Sequence, residues 1–136
     1  MKMQVKVTGM KELQKNMADV VKELEDAMEG GTQEAADYAA GILRRNAPGS
    51  LSKGVATKPL PRKGNYPPNT MVGLLWDGYQ HAHLVEFGTG PRYTSSGAYR
   101  GQMPANPFFR RSIDEAKSGI KQRIKEAGKG PIDRRR

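Results

Sequence analysis

The chain has 136 residues, a mass of 15.0 kDa and a net charge of +9, an excess that favours contact with nucleic acid, an anionic membrane surface or an acidic protein. The hydrophobic fraction of 36% and the mean hydropathy of -0.74 predict one domain with a modest core and a large solvated or partner-facing surface. The lack of cysteine excludes disulfides, a thiolate nucleophile and a cysteine zinc site, and no apolar run is long enough to span a bilayer.

The N-terminal region is predicted to form a short strand and an amphipathic helix. Met3–Val7 alternates as a strand does, and Gly30-Gly31 is expected to end the helix that follows. The apolar stripe of this helix recurs at three- and four-residue steps: Met10, Leu13, Met17, Val20, Leu24 and Met28, with Val21 beside it. We interpret the stripe as core, and a docking groove for another protein is the alternative. The start of the chain has scattered charges, so no signal peptide is expected.

A second helix is predicted from Thr32 to about Ala47, where Pro48-Gly49 stops it. Its apolar face is mostly alanine, and small residues permit close approach of helices. We therefore expect it to pack on the first helix or on a neighbouring subunit. Residues 48–70 are rich in Pro, Gly, Ser and Lys and are predicted to be a long loop.

The second half is predicted to contain a hairpin, a loop and a helix. Two strand-like runs, Met71–Trp76 and His81–Phe87, are joined near Asp77-Gly78, which is a strong hairpin signal. A basic, glycine-rich loop follows at about 88–106. Asn106 is expected to cap the last helix, with Pro107 in its first position.

These elements predict an α+β fold in one domain. The domain is expected to cover residues 1–127, with long loops at about 48–70 and 88–106, and the helix is expected to end at Gly128-Lys-Gly-Pro. Residues 128–136 are then a basic, flexible tail. A small antiparallel sheet with a long hairpin packs against two or three helices. Since such a sheet has open edges, self-association is expected.

Catalytic and metal chemistry are considered and set aside. His81 and His83 share a face if this run is a strand, but the chain has 2 histidines and Glu86 would point the other way. Glu86 could act as a general base, yet no partner group can be identified, and a structural role is preferred. In that role its carboxylate accepts hydrogen bonds from the turn at Gly88-Thr89 or pairs with Arg92. No enzyme activity, cofactor or metal is predicted.

The basic loops have two interpretations that the composition does not separate. Lysine and arginine among tyrosines suit contact with phosphate backbones without sequence readout. The same loops suit electrostatic docking on an acidic neighbour in an assembly. No helix-turn-helix, zinc-finger or RNA-recognition signature accompanies the charge.

Several motifs in a fixed order resemble a known family. They are VKVTGMKELQKNM near the start, Arg-Asn-Ala-Pro-Gly at 45–49, HLVEFGT at 83–89 and MPANPFFRRS at 103–112. The combination resembles the tail-component, or neck, proteins of long-tailed bacteriophages, a group similar to the minor tail protein Z of lambda-like phages. The resemblance covers roughly residues 3–127. The long basic loops at 48–70 and 90–104 depart from it, so their contacts stay open.

The resemblance implies a structural virion protein at the head–tail junction, present in the virion and, during assembly, in the host cytoplasm. It implies a homo-oligomer, most naturally a six-fold ring, between the head-closing connector protein and a tail terminator or tail-tube protein. It implies no membrane partner, and genomic DNA passing through the neck is a further candidate contact. A sequence-nonspecific nucleic-acid-binding module is the alternative function.

Under this interpretation the loop after Phe87 is an arm that orders on assembly, and Asn106-Pro107-Phe108 anchors the chain again. The assembly and interface candidates are Glu86, Phe87, Gly88, Thr89, Arg92, Tyr93, Tyr99, Arg100, Pro107, Phe108, Phe109, Arg110, Lys58, Arg62 and Lys63.

Overall fold

The computed structural model describes residues 2–6, 8–64 and 66–135. Long helices pack on one small antiparallel sheet, which confirms the predicted α+β class. In chain order the elements are α1 (Met10–Asn46), a 3-10 helix (Gly49–Gly54), β1 (Val55–Leu60), β2 (Asn69–Leu74), α2 (Ala82–Phe87) and α3 (Phe108–Asp133). The N-terminal strand is not present at residues 2–6, and Val7, its predicted last residue, lies outside the described residues.

α1 is a single helix of 37 residues, so the predicted break at Gly30-Gly31 is wrong. Neither glycine has the positive φ of a left-handed helix cap. Gly31 is buried against α3, where an added Cβ would lie 2.3 Å from the Cβ of Ala127. This glycine therefore permits close helix packing instead of ending a helix. Thr32 does not cap either, because its hydroxyl donates to the carbonyl of Met28 at 2.7 Å.

The sheet is formed by β1 and β2, which pair antiparallel with Val55 opposite Leu74 and Leu60 opposite Asn69. The predicted loop at 48–70 therefore contains the 3-10 helix and a strand. Pro59 and the flanking glycines and lysines obscured β1 in the sequence. A proline is tolerated here because β1 is an edge strand.

The predicted hairpin between 71–76 and 81–87 is wrong, since residues 82–87 form helix α2. Ala82 and Val85, three residues apart, pack on the core, which gives helical spacing to the run. Short apolar runs of this kind do not distinguish a strand from a buried helix. Successive turns lead into α2. The Tyr79 N–H donates to the carbonyl of Trp76, and the Ala82 N–H donates to the carbonyl of Tyr79.

α3 continues to Asp133, past the predicted end at Gly128-Lys-Gly-Pro. Pro131 lies inside the helix, and the Arg135 guanidinium pairs with Glu23 of α1 at 3.3 Å, so contacts with α1 accompany this last part. The alanine-rich segment packs on α3. It does not pack on the first predicted helix, because the two predicted helices are one continuous helix. Ala39 and Ala116 meet in this seam.

The core lies between the C-terminal half of α1, the inner face of the sheet and the start of α3. Its most buried large side chains are Leu43 and Phe108. Around them pack Ala40, Ala47, Leu51 and Val55, with Val72, Leu74, Tyr79, Ala82, Val85 and Phe109 at the margin. Phe108 thus anchors the start of α3 in the core, as the sequence analysis predicts.

Candidate assembly surfaces

Two of the motifs that carry the resemblance, HLVEFGT and MPANPFFRRS, meet in space at the base of the loop between α2 and α3. The N–H of Asn106 donates to the carbonyl of Val85 at 2.9 Å. Gly88 has a φ of 75° and lies against the backbone of residues 103–105, where an added Cβ would be 2.7 Å from the nitrogen of Ala105. We call this region, residues 85–89 and 103–110, the motif joint.

Glu86 connects α2 to the first turn of α3. Its carboxylate accepts hydrogen bonds from the backbone N–H groups of Phe109 at 2.9 Å and Arg110 at 3.1 Å. These N–H groups belong to the first turn of α3 and have no partner within the helix. Glu86 therefore caps α3 from another element, and the predicted partners, Gly88-Thr89 or Arg92, are wrong. Negative charge at a helix N-terminus is also favoured by the helix dipole.

Asn106 does not cap α3 as predicted. Pro107 is the N-cap residue of α3, and its side chain forms no capping hydrogen bond. The side-chain oxygen of Asn106 instead accepts from Arg111 at 2.5 Å, and its carbonyl accepts from the N–H of Phe108 at 2.7 Å. Pro107 and Arg110 are exposed, and Phe109 is half-buried beside the core. Phe108 belongs to the core, which leaves it no exposed surface for a partner.

The loop at 88–106 folds back on itself as a small hairpin. At its base Thr89 and Met103 exchange two hydrogen bonds: the Thr89 N–H donates to the Met103 carbonyl at 2.9 Å, and the Met103 N–H donates to the Thr89 hydroxyl at 3.0 Å. Nearer the tip, the Arg100 N–H donates to the carbonyl of Arg92 at 2.6 Å. We call residues 90–102 the hairpin arm.

Aromatic and basic side chains stand on the hairpin arm. The rings of Tyr93 and Tyr99 meet edge to face with centroids 5.6 Å apart. Arg92 and Arg100 are exposed, as are both tyrosines. Phe87, at the end of α2, is 79% exposed, which is unusual for phenylalanine in a small protein. The arm thus presents charge and aromatic surface together.

The N-terminal part of the apolar stripe of α1 is uncovered, so its interpretation as core is wrong there, whereas Val20, Leu24 and Met28 are half-buried. Met10, Leu13, Met17 and Val21 are 51–60% exposed. α3 ends beside Glu23, and the first third of α1 projects past it. Small proteins rarely leave a continuous apolar stripe in water without a partner for it. The structure therefore favours the docking alternative.

The three basic candidates of the region 55–68 have different surroundings. Arg62 donates to the carboxylates of Glu25 at 3.1 Å and Glu29 at 2.7 Å and so attaches the loop between β1 and β2 to α1. Lys58 is exposed on the sheet, and Lys63 is exposed on that loop. Among these candidates, Arg62 already has acidic partners within its own chain.

Glu115 and Asn46 connect α1 and α3 at the opposite end of the helix pair. The Asn46 amide donates to Glu115 at 3.0 Å and to the hydroxyl of Ser112 at 3.1 Å, and Arg45 pairs with the same carboxylate. The hydrogen bond from Asn46, aided by the charge of Arg45, holds the pKa of Glu115 below its usual value near 4.5. This exposed network fixes the register of the two helices.

His81 and His83 do not share a face, because the residues lie at the start of α2 rather than in a strand. Nδ1 of His83 is 2.5 Å from the carbonyl oxygen of Gln80. Within the described residues, no three histidine or acidic side chains are grouped so that they could hold a metal ion. In the same part of the chain, no helix has the length and apolar content needed to cross a bilayer.

Sequence reasoning missed two contacts that organise the surface. Gly119 of α3 lies under Tyr38, where a Cβ would be 2.3 Å from the ring, and the Arg123 guanidinium stacks 3.7 Å from the centre of that ring. The open outer face of the sheet was also missed, since β1 was not predicted. Comparison of the chain with protein-family models, with curated proteins and with solved structures found no match.

Proposed function

We propose that the chain is a non-enzymatic structural protein of the phage head–tail junction, a subunit of a ring that joins the head connector to the tail. The proposal rests first on the ordered motifs and their resemblance to neck proteins. The observation from the structure that favours it is the uncovered apolar stripe of α1 on a small, well-packed body. Such a surface suits a subunit whose folding is completed by neighbours.

The motif joint supports the same proposal in a second way. Glu86 and the tight turn at Gly88 hold both ends of the hairpin arm on the rigid start of α3. An arm on a fixed base can present Tyr93, Tyr99 and the arginines to a subunit above, below or beside it. In that case the motifs HLVEFGT and MPANPFFRRS would position the arm, and the arm itself would contact the neighbouring subunit.

The test is electron microscopy of particles from a phage in which this reading frame is disrupted. DNA-filled heads beside separate tails are expected, and the intact gene supplied in trans should restore joining. A complementing gene with Met17→Lys should fail, whereas one with Lys11→Gln, a change on the opposite side of α1, should restore joined particles. Normal joined particles from the disrupted phage would overturn the proposal.

A second candidate is a sequence-nonspecific nucleic-acid-binding module, and the exposed Arg92 and Arg100 beside two tyrosines favour it. Phosphate contacts make affinity fall steeply with salt. DNA affinity measured at several salt concentrations should be weak for the neck protein and little changed by Arg92→Gln/Arg100→Gln. Tight binding that falls steeply with salt and is lost in this double variant would support the nucleic-acid function.

A further inference from the structure

The apolar stripe of α1 has the spacing of a helix that packs along another surface. Met10, Leu13, Met17, Val20 and Leu24 alternate steps of three and four residues, which is the a and d pattern. The flanking positions are mostly uncharged: Gln14, Asn16 and Val21. This spacing fits a helix partner or a sheet partner, and a second uncovered surface of the chain offers a sheet.

That second surface is the outer face of the sheet. Val72 and Leu74 of β2 pack on the core, so Met71, Gly73 and Leu75 point away from it by strand alternation. Met71 and Leu75 are 58% and 54% exposed. Ala56 lies opposite Gly73 in the register, and these two small residues floor a depression of about 140 Å³.

The stripe and the outer face match in size. Residues 10–24 span about 21 Å at 1.5 Å per helical residue. Each six-residue strand spans about 20 Å at 3.3–3.4 Å per residue. The inner face of the same sheet already packs on the C-terminal half of α1, so a helix on the outer face would cover both sides of a sheet that is marginal alone.

The charges near the two surfaces do not oppose the contact. Within residues 10–24 three acidic side chains balance three lysines, so the segment carries no net charge. β1 and β2 contain no acidic residue, and their one basic residue, Lys58, is exposed at the register position opposite Met71.

We propose that residues 10–24 of α1 in one copy lie on the outer face of the β1–β2 sheet of the next copy. The stripe and the sheet are different surfaces, so the contact is head-to-tail, and repetition by a closing rotation gives a ring. The inference rests on the proposed function for the closed ring and deepens it by naming the surfaces through which the subunits meet.

Cysteine cross-linking tests this contact without background, because the chain has no cysteine. Met17→Cys is placed in one copy and Gly73→Cys in another of different tag length, and the full-length proteins are mixed and oxidised. Gly73 accepts the side chain, since an added Cβ would meet no atom within 4 Å. A disulfide-linked heterodimer of twice 15.0 kDa is expected on a non-reducing gel. Lys11→Cys mixed with Gly73→Cys is the matched control.

Two results would overturn the contact. Met17→Cys homodimers in place of the heterodimer would indicate helix-to-helix pairing, and cross-linking no stronger than in the Lys11→Cys control would indicate no contact. A chain carrying both Met17→Cys and Gly73→Cys should give a ladder of dimers, trimers and higher species, because each copy then has two joining surfaces. If cross-linking fails but the disrupted phage yields unjoined heads and tails, this contact alone is rejected. If cross-linking succeeds but the disrupted phage yields normal joined particles, the neck function alone is rejected.

Discussion

The carboxylate of Glu86 accepts the backbone N–H of Phe109 at 2.9 Å, although the two residues lie on different helices and 23 positions apart. This bond and its neighbour from Arg110 satisfy two donors of the first turn of α3. The cap holds Glu86 beside Phe109. The residues between them therefore form a loop whose two ends lie close together, and this loop contains the hairpin arm. The motif HLVEFGT thus has a local structural role, because its glutamate caps α3.

Replacing Glu86 tests this cap. Glu86→Ala should lower the free energy of unfolding by about 1–2 kcal/mol, because two N–H groups lose their acceptor. Glu86→Gln should lose less, since it keeps an acceptor oxygen but not the negative charge near the helix terminus. Urea denaturation followed by circular dichroism measures both. Equal stability of Glu86→Ala and the original protein would show that water replaces the carboxylate at no cost.

The turn at Gly88 should tolerate no side chain. Gly88→Ala is expected to cost about 1–3 kcal/mol, because φ is 75° and the new Cβ would meet backbone atoms at 2.7–2.8 Å. Gly90→Ala is the matched control, with no atom within 4 Å of its Cβ and no positive φ. Thermal unfolding of the two variants should therefore differ in Tm. Similar values would mean that the turn relaxes without cost.

The two glycines in the middle of α1 should behave in opposite ways. Gly30→Ala should stabilise the protein by up to about 1 kcal/mol, since the site is open and alanine favours the helix. Gly31→Ala should destabilise it by about 1–2 kcal/mol, because its Cβ would overlap that of Ala127 in α3 and force the helices apart. Chemical denaturation of the pair measures the difference. Two stabilised variants would show that the seam between α1 and α3 is looser than described.

Under the proposed function, the hairpin arm should be dispensable for folding and required for joining heads to tails. Residues 93–99 can be replaced by Asn-Gly, a dipeptide suited to a two-residue hairpin turn between Arg92 and Arg100. The shortened protein should keep its helical circular dichroism and lose the ability to join heads to tails in complementation. Loss of helical signal would show that the arm belongs to the folded body. Normal joining would exclude the arm as a contact.

The network around Glu115 predicts a pH dependence. Because its pKa in the folded protein is lowered, the carboxylate stabilises the fold above its ordinary pKa near 4.5, and this contribution is lost as the pH falls through the lowered value. The stability difference between the original protein and Glu115→Gln should therefore shrink on acidification below about 4.5. Unfolding measured from neutral pH to acid tests this. A difference that stays constant with pH would contradict the assigned cause.

The sequence predicted the parts of the fold that local chemistry determines. The α+β class, the loop between Phe87 and Phe108 and the burial of Phe108 follow from turn residues and apolar spacing. The apolar stripe of α1 was also recognised, but its exposure was not. Whether a stripe is covered depends on where α3 ends, and periodicity carries no information about that.

The errors arose where a tertiary contact decided the role of a residue. Gly30-Gly31 and Gly128 through Pro131 are typical stop signals, yet the packing of α1 on α3 keeps both segments helical. Residues 82–87 fit a strand or a helix equally well on their own, and packing on the core selected the helix. Glu86 was given a structural role with the wrong partners, because its actual partners lie beyond the loop that separates α2 from α3.

The continuity of α1 has a consequence for the dimensions of an assembly. A helix cannot stretch, so the twelve or so residues of α1 before Glu23 extend a fixed distance of about 18–20 Å beyond the packed body. In a ring closed through that segment, helix length would set the separation of neighbouring subunits and hence the bore of the channel. Insertions of seven residues would then enlarge the bore while keeping the same face toward the neighbour, whereas shorter insertions would turn that face away.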